Sequence, residues 1–266
     1  MTDLNPISAW KRLLALPNES RTKTIVVAFL LSAACAVLVT AATVVLRPIQ
    51  AQNRAAEEQI RLERLLSSIP GMSEIVAEAG GSALTSVVVD LAKGRAAEGL
   101  SSANLQAALD DPANWTQLVP EQDIADIGAV PDFAQIFLLR DGDRISLLIL
   151  PILGAGYNGP IRGMLALRGD MNTIAGMTIT EQSETPGLGA RIEEPAWQAD
   201  FAGKQIADDK GDLRFSVARG PANTEYEVDG ITGATRTSNA VTRMIRFWVG
   251  PQGYGPLISA VQRGEF

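Results

Sequence analysis

The sequence lacks histidine and contains a single cysteine, Cys35, among its 266 residues. Without histidine, catalytic triads lose their usual base, and zinc or haem sites lose their commonest ligand. One cysteine forms neither an internal disulfide nor a paired-cysteine redox or metal site. Any redox or hydrolytic chemistry must therefore come from a bound cofactor, or from carboxylates and hydroxyls.

Positive charge is also in short supply. The 23 lysines and arginines stand against 30 acidic residues, which gives a net charge of −7. Binding of nucleic acid needs a basic surface for the phosphates, so we expect no nucleic acid partner. Apolar residues are plentiful, at 46%. This composition excludes a wholly disordered chain and predicts one or two domains with a hydrophobic core.

One long run without charge, 24–46, dominates the N-terminal part of the chain. As a helix it spans roughly 34 Å, against about 30 Å for the hydrocarbon core of a membrane. The apolar region of a cleavable signal peptide is shorter, about 7–15 residues, and a buried soluble helix is rarely apolar all round. We therefore expect a retained transmembrane helix. Arg21 and Lys23 lie next to its start and favour a cytoplasmic segment over 1–23, although basic residues also follow the span.

The rest of the chain is expected to form three parts. Residues 47–70 predict a helical stalk that ends at a Pro-Gly pair, and 71–130 predict an α-rich insert packed on the next domain. In 131–266, strand-like segments are followed by a helix with one apolar face, which predicts an α+β domain with a β-sheet flanked by helices. The expected strands are 134–140, 145–150, 163–167, 173–180, 213–217 and 226–228, and the expected helix is 238–249.

The segment DGITGATRTS, residues 229–238, is the most informative for function. It places four hydroxyl residues and two glycines at the start of the terminal helix. Free N–H groups and the positive end of the helix dipole favour an anion there, and the glycines allow its close approach. The alternative is an ordinary strand-to-helix turn with Thr237 or Ser238 as the N-cap.

Four glutamates gather upstream of this segment, at positions 181, 184, 193 and 194. Two carboxylates side by side are a requirement for some hydrolases. A solvated acidic loop is the simpler interpretation, and we predict that for this cluster.

The sequence DGITGATRT, 229–237, closely resembles the D-x-x-[ST]-G-A-T-x-[ST] acceptor motif of the FMN-binding domain family. That domain occurs in the C subunit of the Na⁺-translocating NADH:quinone reductase and in the G subunit of the related Rnf complexes. The segments EQSETPGLG (181–189), PAW (195–197), FAGK (201–204) and FWVGPQGYGP (247–256) are similar to further motifs of the family. The single apolar span, the long insert and this C-terminal tail favour the reductase over the shorter Rnf protein.

The resemblance implies that FMN is joined covalently to the hydroxyl of Thr237 through a phosphoester. It implies further cofactor-binding residues in the motif and in the glycine loop before it, while Asp229 is assigned to recognition by a flavin transferase. No residue is expected to be catalytic or to bind a metal. The candidate cofactor-binding residues are Thr232, Gly233, Ala234, Thr235, Arg236, Thr185, Gly187, Leu188, Gly189 and Tyr157.

The function implied by the resemblance is electron transfer within a complex of six subunits in the bacterial inner membrane. The chain, not catalytic alone, would relay electrons from an iron–sulfur centre to the flavins of the B subunit and then to ubiquinone, with the B, D and E subunits as its main partners. NADH oxidation would be coupled to sodium export, and the flavin domain would lie in the periplasm. The alternatives are an Rnf-type G subunit, linked to ferredoxin, and a membrane-anchored extracytoplasmic domain that binds an anion reversibly.

Overall fold

The computed structural model describes residues 15, 17, 20, 21, 23–40, 43, 69, 70 and 84–266. Internal contacts divide the chain into two compact units, Met1–Arg61 and Leu62–Phe266. The expected stalk over 47–70 lies outside the described residues, except for Ile69 and Pro70.

The first unit contains helix α1, Lys23–Thr40. Its mean hydropathy is 2.2 and none of it is buried. By length and composition this helix is able to cross a membrane, in agreement with a single apolar N-terminal anchor. The expected span continues to residue 46. Of its last six positions the structure describes Thr43, which is helical and donates a hydrogen bond from Oγ1 to the carbonyl of Val39 at 2.7 Å.

The second unit is built on an antiparallel sheet in which six described strands lie in the order β2-β1-β5-β6-β7-β8. Successive strands β5 to β8 are neighbours because short turns connect them, and hairpin connections produce antiparallel pairs. The strands are β1 (Thr85–Asp90), β2 (Arg95–Ala96), β5 (Phe133–Asp141), β6 (Arg144–Ala155), β7 (Pro160–Arg168) and β8 (Ile174–Glu181).

Two small strand pairs and several helices complete the described part of this unit. Strands β3 (Trp115–Gln117) and β4 (Ala129–Pro131) pair antiparallel, and β9 (Ser216–Val217) and β10 (Glu227–Val228) pair parallel. The fold class is α+β with helices packed on a sheet, as the sequence predicts. The α-helices are α2 (Ser102–Leu109), α3 (Pro195–Ala199), α4 (Thr235–Val249) and α5 (Gly255–Gln262), and short 3₁₀ helices cover Pro112–Asn114 and Gly189–Glu193.

The expected α-rich insert over 71–130 differs from the structure in its described part, 84–130. This part contains four strands and one α-helix, and β1 pairs with β5 along its whole length. The sheet therefore crosses the boundary expected at 130/131. The reason is the run of β-branched residues 87–89, which suits a strand between two partners better than the alanine-rich surroundings suggest.

Both faces of the sheet are buried, because successive side chains of a strand point to opposite sides. On one face, Leu148, Leu150 and Ile152 of β6 belong to the large core that includes the apolar side of α4. On the other face, Leu147 and Ile149 join a smaller cluster with Ile69 and with residues of β5, β7 and β8.

The C-terminal end of helix α4 is fixed against β6. Its residues at 241, 244, 245 and 248 are buried on one face, as the spacing predicts. Trp248 donates a hydrogen bond from Nε1 to the carbonyl of Leu153 at 2.7 Å, and Tyr254 donates from its hydroxyl to the carbonyl of Pro151 at 2.9 Å. This packing directs the N-terminus of α4 toward the loop that follows β6.

Candidate functional site

A cavity of about 340 Å³ lies where three segments meet: the β6–β7 loop, the segment after β8 and the N-terminus of α4. Cavities that bind small molecules generally have a volume of about 300 Å³ or more. The residues that line the cavity are Tyr157, Glu184, Thr185, Leu188, Gly189, Gly233, Ala234, Thr235, Arg236 and Thr237.

The N-terminus of α4 forms one wall of the cavity. The helix begins at Thr235 with Ala234 as its N-cap, and no side chain caps it. The alternative in which Thr237 or Ser238 is the N-cap is therefore wrong, because the helix begins before both of them. Gly233, with φ of 81°, makes the preceding turn. Uncapped N–H groups of a first helical turn are suited to bind an anion.

Thr237 lies in this first turn with its side chain turned inward, and it is only 3% exposed. Its hydroxyl donates a hydrogen bond to Oε2 of Glu184 at 2.5 Å. Ser238 is equally buried and accepts a hydrogen bond from the backbone N–H of Ile231 at 3.5 Å. The second of these contacts ties the motif loop to its own helix, whereas the first ties the helix to a different segment of the chain.

Glu184 connects the three walls of the cavity. Its Oε1 accepts hydrogen bonds from the backbone N–H groups of Tyr157, at 2.6 Å, and Asn158, at 3.1 Å, while Oε2 accepts from Thr237. The side chain is 4% exposed. The interpretation of the glutamate cluster as a solvated loop is therefore wrong for Glu184, although the other three glutamates are exposed.

Two glycines leave the space that the Glu184 carboxylate occupies. A Cβ atom added at Gly189 would lie 2.5 Å from Oγ1 of Thr237 and 2.7 Å from Oε2 of Glu184, and one added at Gly156 would collide with Oε1 of Glu184. Each residue is thus required to lack a side chain so that the buried carboxylate and hydroxyl can meet.

The rim of the cavity is partly apolar and carries one positive charge. Tyr157 is 55% exposed and Leu188 is 43% exposed. Arg236 lies over the Tyr157 ring, with its Cζ 5.0 Å from the ring centroid, which is a cation–π distance. The Thr185 hydroxyl accepts a hydrogen bond from Nδ2 of Asn158 at 2.9 Å. The rim therefore presents apolar surface for a ring system next to groups that attract an anion.

The structure brings nine of the sequence-predicted site residues to this cavity and places three elsewhere. Thr232 and Gly187 are exposed and do not line it. Asp229 also lies outside, where Oδ1 accepts a hydrogen bond from the backbone N–H of Ala222 at 2.7 Å and the backbone carbonyl accepts one from Nε1 of Trp197 at 2.8 Å. The residue that sequence reasoning missed is Glu184. The available signal was its place at the start of the sequence ETPGLG, residues 184–189, upstream of the motif at 229–237.

Residues 156–250 match the family of FMN-binding domains. Every residue that lines the cavity falls within this range. The fold and the site therefore define the class, which is a protein with an FMN-binding domain of mixed α and β structure.

Relatives that match along nearly the whole chain identify the particular family. The C subunit of the Na⁺-translocating NADH-quinone reductase from Vibrio anguillarum is 35% identical over 256 residues, which cover 94% of this chain and 99% of that protein. The chain belongs to the family of this C subunit. The corresponding protein from Pseudomonas aeruginosa is also 35% identical, over 93% of this chain and 98% of that protein. A crystal structure of Shewanella oneidensis NqrC, at 27% identity, aligns with a TM-score of 0.65 over 78% of this chain and 99% of that one.

The residues present fit an FMN group. The uncapped first turn of α4 and the guanidinium of Arg236 are suited to a phosphate, and the exposed faces of Tyr157 and Leu188 are suited to a flavin ring. Thr237 lines the same cavity. The site therefore offers a nucleophilic oxygen, anion-binding groups and apolar surface within one cavity.

Proposed function

We propose that this chain carries FMN joined by a phosphoester to Oγ1 of Thr237 and transfers electrons as the C subunit of a Na⁺-translocating NADH:quinone reductase. The observation that carries the proposal is the position of the Thr237 hydroxyl. Thr237 lines the cavity from the uncapped first turn of a 15-residue helix, and a buried carboxylate holds its hydroxyl. The names of the relatives support the reductase as the complex.

The residues around the cavity divide into two groups in this proposal. Gly233, Ala234, Thr235 and Arg236 bind the phosphate side, because they contribute the helix N-terminus and the cation. Thr185, Leu188, Gly189 and Tyr157, which line the rest of the cavity, would hold the flavin ring.

Three further residues act from outside the cavity. Thr232 and Gly187 shape the two loops, a role supported by the φ of 76° at Gly187. The Asp229 side chain belongs to an exposed residue, which supports its recognition by the flavin transferase that modifies the protein.

Bound FMN supplies one- and two-electron redox chemistry, and the protein supplies its position and electrostatics. Tyr157 and Leu188 at the rim are both exposed, so a partner protein is able to approach the ring edge closely. We place the cofactor between an iron–sulfur centre and the flavins of the B subunit, upstream of ubiquinone, with the B, D and E subunits as neighbours. This order is implied by the family resemblance, and the open rim agrees with it.

The membrane arrangement follows from helix α1. We propose that 24–46 cross the bacterial inner membrane once, with 1–23 in the cytoplasm, 47–70 as a stalk, and the flavin domain, 131–266, in the periplasm together with the residues that precede it in the sheet. The length and hydropathy of α1 support the span, and Arg21 and Lys23 beside its start support the orientation.

The test is the intact mass of the denatured full-length protein, with a peptide map, after expression in a host with an active flavin transferase. We expect an increment of one FMN less one water, located on Thr237. An unmodified mass would overturn the proposal and favour a domain that binds an anion reversibly.

The variant Thr237→Ala is expected to lose all covalent flavin and to keep its fold. Removing the hydroxyl takes one donor from Glu184, which retains its two backbone donors, so we expect a loss of about 1–2 kcal/mol in the free energy of unfolding. Thr235→Ala is the matched comparison: it removes an exposed hydroxyl from the same helical turn but keeps the backbone N–H at the helix N-terminus, and flavin attachment should persist, at least in part. Flavin on Thr237→Ala at wild-type yield would show that the acceptor is another residue.

A further inference from the structure

The three threonines of the motif differ in exposure and in their contact with a carboxylate. Thr232 and Thr235 are exposed, whereas Thr237 is 3% exposed. Access alone would therefore make Thr237 the poorest acceptor of the three. What distinguishes it is the hydrogen bond from its hydroxyl to Glu184. The acceptor proposed above is thus the buried hydroxyl that faces a carboxylate, not an exposed one.

We propose that Glu184 takes the proton from the Thr237 hydroxyl when the flavin nucleotide is attached, and that this contact selects Thr237 over Thr232 and Thr235. The inference rests on the proposed attachment site. In this proposal the chain is the substrate of the transferase and itself supplies a catalytic residue for the attachment.

The geometry suits this role because Glu184 is fixed before the reaction. Two backbone N–H groups bind Oε1, so that Oε2 is left facing Oγ1 of Thr237 at 2.5 Å. A general base must lie within hydrogen-bond distance, about 2.6–3.2 Å, of the atom whose proton it takes, and this contact, slightly shorter than that range, already meets the requirement. The missing side chains at Gly156 and Gly189 make room for the pair.

The chemistry requires such a base, because a threonine hydroxyl is a weak nucleophile at neutral pH. Joining free FMN to an alcohol would expel water, which is unfavourable in aqueous solution. The flavin donor must therefore be an activated phosphate such as an anhydride, and the donor in this proposal is a dinucleotide in which FMN is linked to a second nucleotide through a pyrophosphate. The bond from Thr237 Oγ1 to phosphorus forms, and the anhydride P–O bond breaks.

The balance of the step is complete without an oxidant or reductant. The second nucleotide leaves as its monophosphate with the electron pair of the broken bond, and the Oγ1 proton passes to Oε2 of Glu184 and then to solvent. The charged and titratable groups that line the cavity with Glu184 are Arg236 and Tyr157. Arg236 and the N-terminus of α4 offset the negative charge that develops on the phosphoryl oxygens.

The experiment measures the initial rate of flavin attachment to purified full-length apoprotein in detergent, with flavin transferase and flavin dinucleotide both saturating. Covalent flavin is followed by fluorescence in denaturing gels and by mass. Loss of a general base costs about 10²–10⁴-fold in rate, so Glu184→Gln is expected to be at least 100-fold slower than wild type. Its melting temperature should change little, since the amide oxygen still accepts from Tyr157 and Asn158. Glu181→Gln is the matched control, because Glu181 is exposed and paired with Arg162.

Varying the apoprotein concentration at a fixed, low transferase concentration separates a proton acceptor from a merely structural residue. In Glu184→Gln the maximal rate of attachment should fall, whereas the apoprotein concentration that gives half of the maximal rate should stay close to that of wild type, because the transferase still binds the same surface. A maximal rate equal to that of wild type, or a loss seen only in the half-maximal concentration, would overturn the proposal.

A second variant keeps the test decisive if Glu184→Gln does not fold. Glu184→Asp retains the charge but is one methylene shorter, so it should attach flavin more slowly than wild type but still measurably, and faster than Glu184→Gln where that variant folds. If shape alone mattered, Gln would be the better replacement and the ranking would reverse. Wild-type protein that never carries flavin on Thr237 would instead refute the proposed attachment site, and the role of Glu184 with it.

Discussion

Two carboxylates at opposite ends of the sheet accept the same set of hydrogen bonds. Asp170, in the β7–β8 turn, accepts from the backbone N–H groups of Asn172 and Thr173 and from the Thr173 hydroxyl, at 2.9, 2.8 and 2.5 Å. Glu184, after β8, likewise accepts from two backbone N–H groups and one threonine hydroxyl. The difference lies in where the donors come from.

The donors to Asp170 lie two and three residues away, in an exposed turn. The donors to Glu184 lie 26, 27 and 53 residues away, and the carboxylate is buried. Asp170 thus forms a turn that its own neighbours specify, as aspartate commonly does. Glu184 holds three distant segments together and faces a cavity. The same bonding pattern makes a turn in one place and the contact that we propose to be reactive in the other.

The largest difference between Glu184 and Asp170 is expected when each carboxylate is removed in turn. Glu184→Ala leaves three donors from two other segments without an acceptor, the buried Thr237 hydroxyl among them, so we expect a loss of about 2–3 kcal/mol in the free energy of unfolding and at least 100-fold slower flavin attachment. Asp170→Ala, the matched comparison, is expected to cost about 1 kcal/mol and to leave attachment unchanged. Urea unfolding of the full-length apoprotein, followed by tryptophan fluorescence, gives the first quantity. Equal losses for the two variants would contradict the comparison.

Displacing the Glu184–Thr237 pair without changing either residue should have a smaller effect. In Gly189→Ala the new methyl would lie 2.5 Å from the Thr237 oxygen, so the pair must separate, and we expect attachment to slow at least tenfold. Gly220→Ala is the control, since a Cβ atom there meets nothing within 4 Å. Initial rates of covalent flavin formation check this. Wild-type behaviour of Gly189→Ala would mean that the pair tolerates separation.

The smallest effect concerns the pH dependence of stability at the Asp170 turn. Partial burial raises the pKa of Asp170, but hydrogen bonds from Thr173 and Asn172 outweigh it and lower the pKa below its usual value. A lowered pKa in the folded state means that the stabilisation is complete above about pH 4 and is lost as the pH falls through the lowered pKa. Because the turn is exposed to solvent, we expect no more than about 1 kcal/mol.

Thermal unfolding tests the stabilisation that the hydrogen bonds from Thr173 and Asn172 to Asp170 provide. The melting temperature of Asp170→Asn should lie below that of wild type at pH 7, and the difference should narrow at pH 3 and below. Asp143→Asn, in the exposed β5–β6 turn, serves as the control. A difference that grows as the pH falls would reverse the sign of the inferred contribution.

The sequence predicted the strands and the helix correctly wherever a local pattern of residues was sufficient. The run after Pro131 predicted β5 to β8, and the spacing of apolar residues predicted the buried face of α4. The prediction from sequence was wrong where the outcome depended on a neighbouring element of the fold. Strand β1 joins the sheet because β5 lies beside it, and α4 begins at Thr235 because of the turn at Gly233 and the packing beyond it.

The sequence by itself determined the apolar anchor, the α+β class, the family and the motif that contains Thr237. These depend on composition, periodicity and the order of neighbouring residues. The tertiary structure alone decided that the Thr237 hydroxyl faces inward onto Glu184, and that Gly156 and Gly189 leave space for that contact. A hydrogen bond between residues 53 positions apart exists only after the sheet and α4 have packed, so no local pattern specifies it.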